Sequence, residues 1–285
     1  MLPTGTIDWA GVDVAVPSSS VRLPGVNMAG FAYRAPALAD IAMVTHPSLT
    51  VLIDLSEDEA IISHAHGRGV RGSVVAGLAP GDFRVTGRGV RECLQIRLDP
   101  VAAAALLDAS ADLNGTAVSL EEVWGRDTGR TEDRLRHATS WGERFTTAAG
   151  LLRRRLGARP SVAPEVAHAW RQILTDRGRT RVEDLAAEVG WSRKRLWSRF
   201  RTQLGITPKR ASRLVRFDHA AHLLAAGHDA ASAAIESGYV DQSHLHREVK
   251  AFTGLTPTTL ATAPWLSIDD IAWPTPSRLG RRASG

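Results

Sequence analysis

The sequence predicts an α+β protein in which an antiparallel β domain comes first, a helical extension follows, and an all-α domain completes the fold. Three observations predict this order. Short apolar runs separated by turn residues fill 41–98, a helical pattern begins at Asp99, and two similar helical segments lie near the C-terminus. We therefore expect two helix-turn-helix units, joined by a long helix, in the last third of the chain.

The N-terminal part reads as a β domain. Residues 1–20 show little regular patterning and are expected to form a flexible arm. Short, evenly spaced strands are typical of an antiparallel barrel or sandwich, and we place this β domain at 21–99. The apolar runs predict strands over 41–46, 49–55, 60–63, 73–78, 83–86 and 93–98.

A helical extension and linker are expected over 100–177. Pro100 begins a helix predicted over 101–108, at a first-turn position that proline tolerates. Ser119 and Glu122 have the spacing of a capping box. Further helices are predicted over 131–156, with an interruption near Trp141, over 162–175, and after a short hinge at 177–179.

A near-duplication close to the C-terminus is the most specific signal in the chain. Gly190 pairs with Gly238 at an offset of 48 residues, and Pro208 pairs with Pro257 at an offset of 49. The extra residue therefore falls just after the glycine, where a loop absorbs it. Each copy reads as a helix, a glycine-containing turn, and a second helix that ends before Gly-x-Thr-Pro, and one long helix over 208–226 would join the copies.

The second helix of the first copy has the composition of a DNA-binding helix. Ser192 suits its N-cap, and Leu196, Phe200 and Leu204 share one apolar face. No acidic residue lies between Ser192 and Leu204, so the remaining surface can meet phosphates and base edges together. An ordinary amphipathic helix with a solvated basic face is the alternative, and the second copy at matched spacing argues against it.

One stretch carries a clear family resemblance. Residues 238–250, Gly-Tyr-Val-Asp-Gln-Ser-His-Leu-His-Arg-Glu-Val-Lys, are followed at 252–257 by Phe-Thr-Gly-Leu-Thr-Pro. They resemble the signature of the AraC/XylS family of bacterial transcription regulators, and the resemblance covers 178–262. Val249 and Leu245 stand where the family often has aromatic residues, but both keep the position apolar.

The resemblance implies binding to double-stranded promoter DNA through two successive major-groove segments, most often to activate transcription. It also implies a homodimer in the cytoplasm, with RNA polymerase as a further partner. The positions that match base-contacting ones are Lys194, Trp197, Ser198, Gln242, Ser243, His244, His246 and Arg247. We expect phosphate contacts from Arg193, Arg195, Arg199, Lys209, Arg210 and Lys250. The second helix of the first copy is more basic than the second helix of the second copy, so it should supply more of the affinity for phosphate. The corresponding helix of the second copy should depend more on hydrogen bonds and shape.

The N-terminal part is similar to a cupin-like domain that accompanies this helix-turn-helix in many regulators. The similarity lies in 46–55, His-Pro-Ser-Leu-Thr-Val-Leu-Ile-Asp-Leu, and in 120–125, Leu-Glu-Glu-Val-Trp-Gly. It implies binding of a small effector, dimerisation, or both, without defining the ligand. Two alternatives stay open for this part: dimerisation alone, or a metal-dependent cupin enzyme.

The enzyme alternative depends on His64 and His66. Metal-binding cupins add a glutamate and a third histidine to such a pair, and here Glu92 is the one acid in the later strands and no histidine follows before His137. We therefore expect no metal, no cofactor and no catalysis, and the sequence has no phosphate loop or nucleophile elbow. Cys93, the single cysteine, excludes an intrachain disulfide and is expected to be buried.

We expect neither a secretory signal nor a membrane span in this sequence. No apolar run is long enough to span a bilayer, and residues 1–20 lack the pattern of a secretory signal, so a cytoplasmic protein without membrane contact is expected. Residues 263–285 are loop-like and basic, and are expected to form a disordered tail.

Overall fold

The computed structural model describes residues 11–33, 38–42, 45–56, 61–64, 69–78, 83–88, 92–107, 110–156 and 162–263, together with Leu266, Asp269, Ala272 and Trp273. In the strands at 38–42, 61–64 and 83–88 the description covers the backbone alone. No helix within these residues is long and apolar enough to cross a membrane.

The described N-terminal strands form two antiparallel sheets, as the sequence predicts. The six-stranded sheet has the order β1-β2-β9-β4-β7-β10, with β1 Val12–Ala15, β2 Val26–Tyr33, β9 Glu92–Leu98, β4 Leu49–Asp54, β7 Val74–Ala76 and β10 Ala117–Ser119. The four-stranded sheet has the order β3-β8-β5-β6, with β3 Leu38–Ala42, β8 Phe83–Arg88, β5 Ile61–His64 and β6 Val70–Arg71.

Two sequence-based expectations for this region need correction. The strand predicted over 41–46 lies earlier, at Leu38–Ala42. Part of the predicted flexible arm, Val12–Ala15, is an edge strand that pairs antiparallel with β2. The remaining arm residues, 1–10, lie outside the described part of the chain.

Strand β2 is missing from the sequence-based expectations, although it is the longest strand described. Its sequence contains alanine, glycine and asparagine, which have weak strand preference. At Gly30 an added Cβ would lie 2.2 Å from the Trp141 ring, so this position has room for hydrogen only. The strand therefore depends on packing against a residue far away in the sequence.

The six-stranded sheet has two apolar faces because successive side chains point to opposite sides. On β9, Leu94, Ile96 and Leu98 pack toward the helices in one core. Cys93 lies on the opposite face, in a second cluster with Phe31 and Leu52. We call this second surface the inner face of the sheet.

The predicted helices are present, with small shifts in their ends. Ser119 and Glu122 form the expected capping box at the start of α2. The helix predicted over 131–156 is divided into two, and the second one begins at Trp141. The helices are α1 Pro100–Leu106, α2 Leu120–Trp124, α3 Asp127–Arg136, α4 Trp141–Leu156, α5 Pro164–Thr175, α6 Val182–Glu188, α7 Arg193–Leu204, α8 Pro208–Ala225, α9 Ala230–Glu236, α10 Gln242–Thr253 and α11 Pro257–Ala261.

Helix α5 packs with the C-terminal helices, so the boundary predicted at 178 separates it from its partners. The Trp170 ring lies 6.3 Å from the Phe200 ring of α7, and both side chains are fully buried. Trp170 Nε1 also donates a hydrogen bond of 2.7 Å to Asp99, which caps α1. One apolar core thus continues from the N-terminal sheet into the first helix-turn-helix unit.

The second helix-turn-helix unit has its own apolar core. Long helix α8 passes between the two cores, since Leu214 and Val215 belong to the first and Phe217 and Ala220 to the second. The predicted disordered tail is wrong for its first part, because Leu266 and Ala272 are buried and the side chain of Asp269 is only 12% exposed. Residues 274–285 lie outside the described part of the chain.

Candidate nucleic-acid interface

The second helices of the two helix-turn-helix units, α7 and α10, are called the recognition helices below. They begin and end with the same kinds of capping residues. The Ser192 hydroxyl accepts a hydrogen bond from the Arg195 backbone N–H at 3.2 Å, and the Asp241 carboxylate accepts one from the His244 N–H at 2.6 Å. These caps satisfy donors that the first helical turn leaves without a partner. A glycine in the left-handed conformation ends each helix, at positions 205 and 254.

Each recognition helix buries one apolar face and leaves its other side to solvent. Leu196, Phe200 and Leu204 of α7 are buried as predicted. Leu245 and Val249 of α10 are fully buried, so these non-aromatic residues preserve the packing position.

The predicted base-contacting residues lie on the solvent side of these helices. The side chains of Lys194, Trp197 and Ser198 on α7 are exposed, and so are those of Gln242, Ser243, His246 and Arg247 on α10. Trp197 is 45% exposed, an unusual position for a large apolar ring in a soluble domain. His244 is half-buried because its ring packs edge-on against Tyr239, with 5.2 Å between the ring centroids.

The predicted phosphate-contacting residues are also exposed, and several have partners within the chain. Arg193 forms an ion pair of 3.1 Å with Glu183. The guanidinium of Arg195 lies 4.5 Å from the Trp191 ring centroid. Lys250 donates to the Gly254 carbonyl at the end of its own helix. The exposed residues of this group are Arg193, Arg195, Arg199, Lys209, Arg210 and Lys250.

A cleft of about 1130 Å³ lies between the two units. It brings together Lys194 and Trp197 of α7 with His244 of α10, across the basic surface of α8. Arg193 and Lys209 also line it, whereas the other predicted contact residues do not: Ser198, Gln242, Ser243, His246, Arg247, Arg195, Arg199, Arg210 and Lys250.

Sequence reasoning missed the basic residues on the floor of this cleft. Arg213 and Arg216 on α8 and Arg179 and Arg181 before α6 all line it. The spacing of arginines on one side of the long helix is the signal that could have found the first two, because it gives that helix a basic face as well as a connecting role.

The position of Arg213 is set by a buried carboxylate. Glu248 of α10 accepts hydrogen bonds from Arg213 Nε at 3.1 Å and from Nη2 at 2.8 Å. The hydrogen bond to Glu248 raises the pKa of Arg213 above its usual value, so its charge is secure. This bidentate pair joins α8 to the second recognition helix.

The candidate metal pair lies largely outside the described residues. The backbone of His64 ends β5, while its side chain and the whole of His66 are not described. Among the residues that are described, no group of three histidine, cysteine, aspartate or glutamate side chains could hold a metal ion. Cys93 is buried as predicted, and burial raises the pKa of its thiol to about 12.

Comparison with known proteins gives one match at the level of sequence families. A family model described as a helix-turn-helix domain matches residues 185–263. No curated protein matches the chain.

Comparison with solved structures gives matches that share little sequence with this chain. ToxT K231A from Vibrio cholerae is 11% identical, with 85% of this chain and 98% of that chain covered and a TM-score of 0.48. The C-terminal domain of AraT, a response regulator from Geobacillus stearothermophilus, is 22% identical, with 35% and 85% covered and a TM-score of 0.33. The AraC-like transcriptional activator CuxR is 15% identical, with 72% and 86% covered and a TM-score of 0.32.

The matched residues begin in α6 and extend just past α11, so they contain both recognition helices and the long helix between them. The duplicated caps, turn glycines and apolar faces give this segment its internal symmetry. Residues 185–263 are therefore a helix-turn-helix domain in sequence and in structure.

Proposed function

We propose that this protein is a sequence-specific regulator of transcription that binds double-stranded promoter DNA through both helix-turn-helix units. The observation that carries the proposal is the shared cleft, where the exposed Lys194 and Trp197 of α7 meet the half-buried His244 of α10 over a basic floor. Recognition helices of this kind read base edges in the major groove, and basic side chains around them hold the phosphates.

The two units differ, so we propose that they read an asymmetric site. The exposed side of α7 presents arginine, lysine and an indole, whereas α10 presents glutamine, serine and histidine with one arginine. The arginine and lysine suit guanine, and the indole suits contact with a thymine methyl. The second helix would then discriminate more by hydrogen bonds and fit.

We propose that the N-terminal domain controls DNA binding, through a small effector or through dimerisation, and that the outcome is activation with RNA polymerase as partner. The core that continues from the sheet into α7 supports this proposal, since a change at the sheet has a packed route to the first recognition helix. Light scattering with and without DNA measures dimerisation, and transcription in vitro from a selected promoter distinguishes activation from repression.

Selection of genomic fragments by the purified full-length protein tests DNA recognition. The expected result is a motif with two contacted segments about one helical turn apart. The absence of any enriched motif, with and without small-molecule extracts, would contradict the proposal.

The salt dependence of binding tests the phosphate contacts. Replacing Arg193 and Arg195 by alanine should flatten the slope of log affinity against log salt by about 0.9 for each phosphate that the variant no longer neutralises. Arg134→Ala, on the exposed side of α3, is the matched control and should leave the slope unchanged. Equal slopes for all variants would mean that the two α7 arginines do not contact phosphate.

A further inference from the structure

After helix α11, described residues of the chain again contact the N-terminal domain. Leu266 is buried in the core of the second helix-turn-helix unit. Six residues later, Ala272 is buried on the inner face of the six-stranded sheet, in the cluster that contains Phe31 and Leu52. This segment, defined by Leu266, Asp269, Ala272 and Trp273, is called the C-terminal strap below.

A largely buried carboxylate, that of Asp269, joins the strap to the sheet and to α8. Asp269 accepts hydrogen bonds from Arg97 of β9, at 3.2 Å from Nη1 and 2.7 Å from Nη2. The Nε2 atom of His222 on α8 lies 3.7 Å from the same carboxylate. The Trp273 ring covers the guanidinium of Arg97, with 4.3 Å to the ring centroid. One side chain thus joins the sheet, the long helix and the strap.

The charge of the Asp269 carboxylate compensates the positive charges of Arg97 and His222. Burial would raise the pKa of Asp269, but Arg97 and His222 outweigh burial and lower it below its usual range. Burial would likewise lower the pKa of His222, but Asp218 on the same helix and Asp269 raise it to about 9. Near neutral pH two cations from different elements therefore meet at the Asp269 carboxylate, and Asp218 on α8 also faces His222. Without the anion both partly buried cations would lose compensation, which is costly.

Histidine 46, which precedes β4, completes the set of titratable groups at this junction. Its ring is hydrogen-bonded to Ser48 and Thr50. Burial and the neighbouring Arg97 lower the pKa of His46 well below its usual value, so it stays neutral. It therefore adds no competing charge to the Asp269 contact.

The two helix-turn-helix units differ in how they are attached to the sheet. The first shares its core with the N-terminal domain, whereas the second has its own core, which meets the first at Phe252 of α10. The strap reaches from that separate core to the inner face of the sheet. We propose that the C-terminal strap is an internal tether, closed by Asp269 on Arg97 and His222, that sets the position of the second recognition helix relative to the first. Its effect on DNA rests on the proposed function, but the tether itself does not.

Hydrogen exchange on the full-length protein tests the tether without DNA. Asp269→Asn keeps the shape and removes the charge, and should speed exchange by at least about tenfold in peptides that contain position 269 and in α10. Asp133→Asn, a largely exposed carboxylate paired with Arg136, is the matched control and should leave those peptides unchanged. Unchanged exchange in α10 of the Asp269→Asn variant would overturn the proposal.

A double-mutant comparison guards against a general loss of folding. If Arg97 and Asp269 act as one contact, Arg97→Gln combined with Asp269→Asn should speed exchange no more than Asp269→Asn alone. Additive effects of the two changes would show that they act separately and would contradict the tether.

Binding to DNA then tests the consequence. Asp269→Asn should change the affinity of the protein for a DNA site that contains both contacted segments. It should leave unchanged the affinity for a DNA site that contains only the segment read by α7. Equal changes on both kinds of site would refute the positioning role. If neither the wild-type protein nor the variants bind DNA, the proposed function fails, while the exchange result still decides whether the tether exists.

Discussion

Gly205 ends the first recognition helix at a point where that helix meets the helical extension, at Ala111. Its φ is 72°, a left-handed conformation. A Cβ added there would lie 2.0 Å from the carbonyl oxygen of Ala111 and 2.7 Å from its carbonyl carbon. Both are backbone atoms, so no side-chain movement relieves the clash. Gly205→Ala should therefore disturb the contact between α7 and the helical extension at Ala111.

The magnitude follows from two separate costs. A left-handed alanine costs about 1–2 kcal/mol relative to its preferred conformation. Overpacking against a fixed neighbour adds about 1–3 kcal/mol. We therefore expect Gly205→Ala to lower the free energy of unfolding by about 2–5 kcal/mol.

Gly190 supplies the matched control, since its φ is 67° and nothing lies within 4 Å of an added Cβ. Gly190→Ala should show the conformational cost alone, about 1–2 kcal/mol. Denaturant unfolding of both variants, followed by tryptophan fluorescence, measures the difference. If the two substitutions destabilise the protein equally, the close approach of α7 to Ala111 is not present in solution.

Three further outcomes are expected. Trp170→Phe removes the donor to the half-buried Asp99 carboxylate and should lower the free energy of unfolding by about 2 kcal/mol in denaturant unfolding, whereas Trp197→Phe at an exposed position should cost little. Replacing Arg247 or Trp197 by alanine should cost roughly 1–3 kcal/mol on the selected DNA site and much less on random DNA, measured by fluorescence anisotropy; equal losses on both would show that the residue does not read sequence. Because the pKa of His222 is raised from 6.5 to about 9, its charged form contributes stability fully below pH 6.5, and this is lost as the pH rises through 9. Stability measured across that range should fall less in His222→Gln, and an identical pH profile would argue against a charged His222 in the folded protein.

Local chemistry explains why the DNA-binding helices are predictable. Ser192 as N-cap, Gly205 as C-cap and the face of Leu196 and Phe200 all act within one or two helical turns, and the structure contains each of them as expected. The second copy repeats these signals, so Leu245 is expected to keep its packing role despite its departure from the aromatic pattern, and it is fully buried. Short-range rules suffice where the residues that decide a conformation are neighbours in the sequence.

Distant contacts explain the failures. Strand β2 has a sequence of weak strand preference, and Gly30 is explained only by the Trp141 ring that packs on it. The position of Arg213 on α8 depends on Glu248, which α10 places beside it in the folded protein. Neither relation leaves a periodic signal that a single sequence reveals.

By itself, the sequence determined the α+β class, the order of the two parts and the duplicated helix-turn-helix. These features are predictable because caps, turn glycines and apolar periodicity depend on residues that are close together in the sequence. Only the tertiary structure decided that α5 belongs with the DNA-binding helices and that the first unit shares its core with the sheet. The same holds for the strap, where Asp269 reaches a cation 172 residues away. The physical reason is that burial of a charge or a ring depends on which surfaces meet, and that is a property of the folded chain.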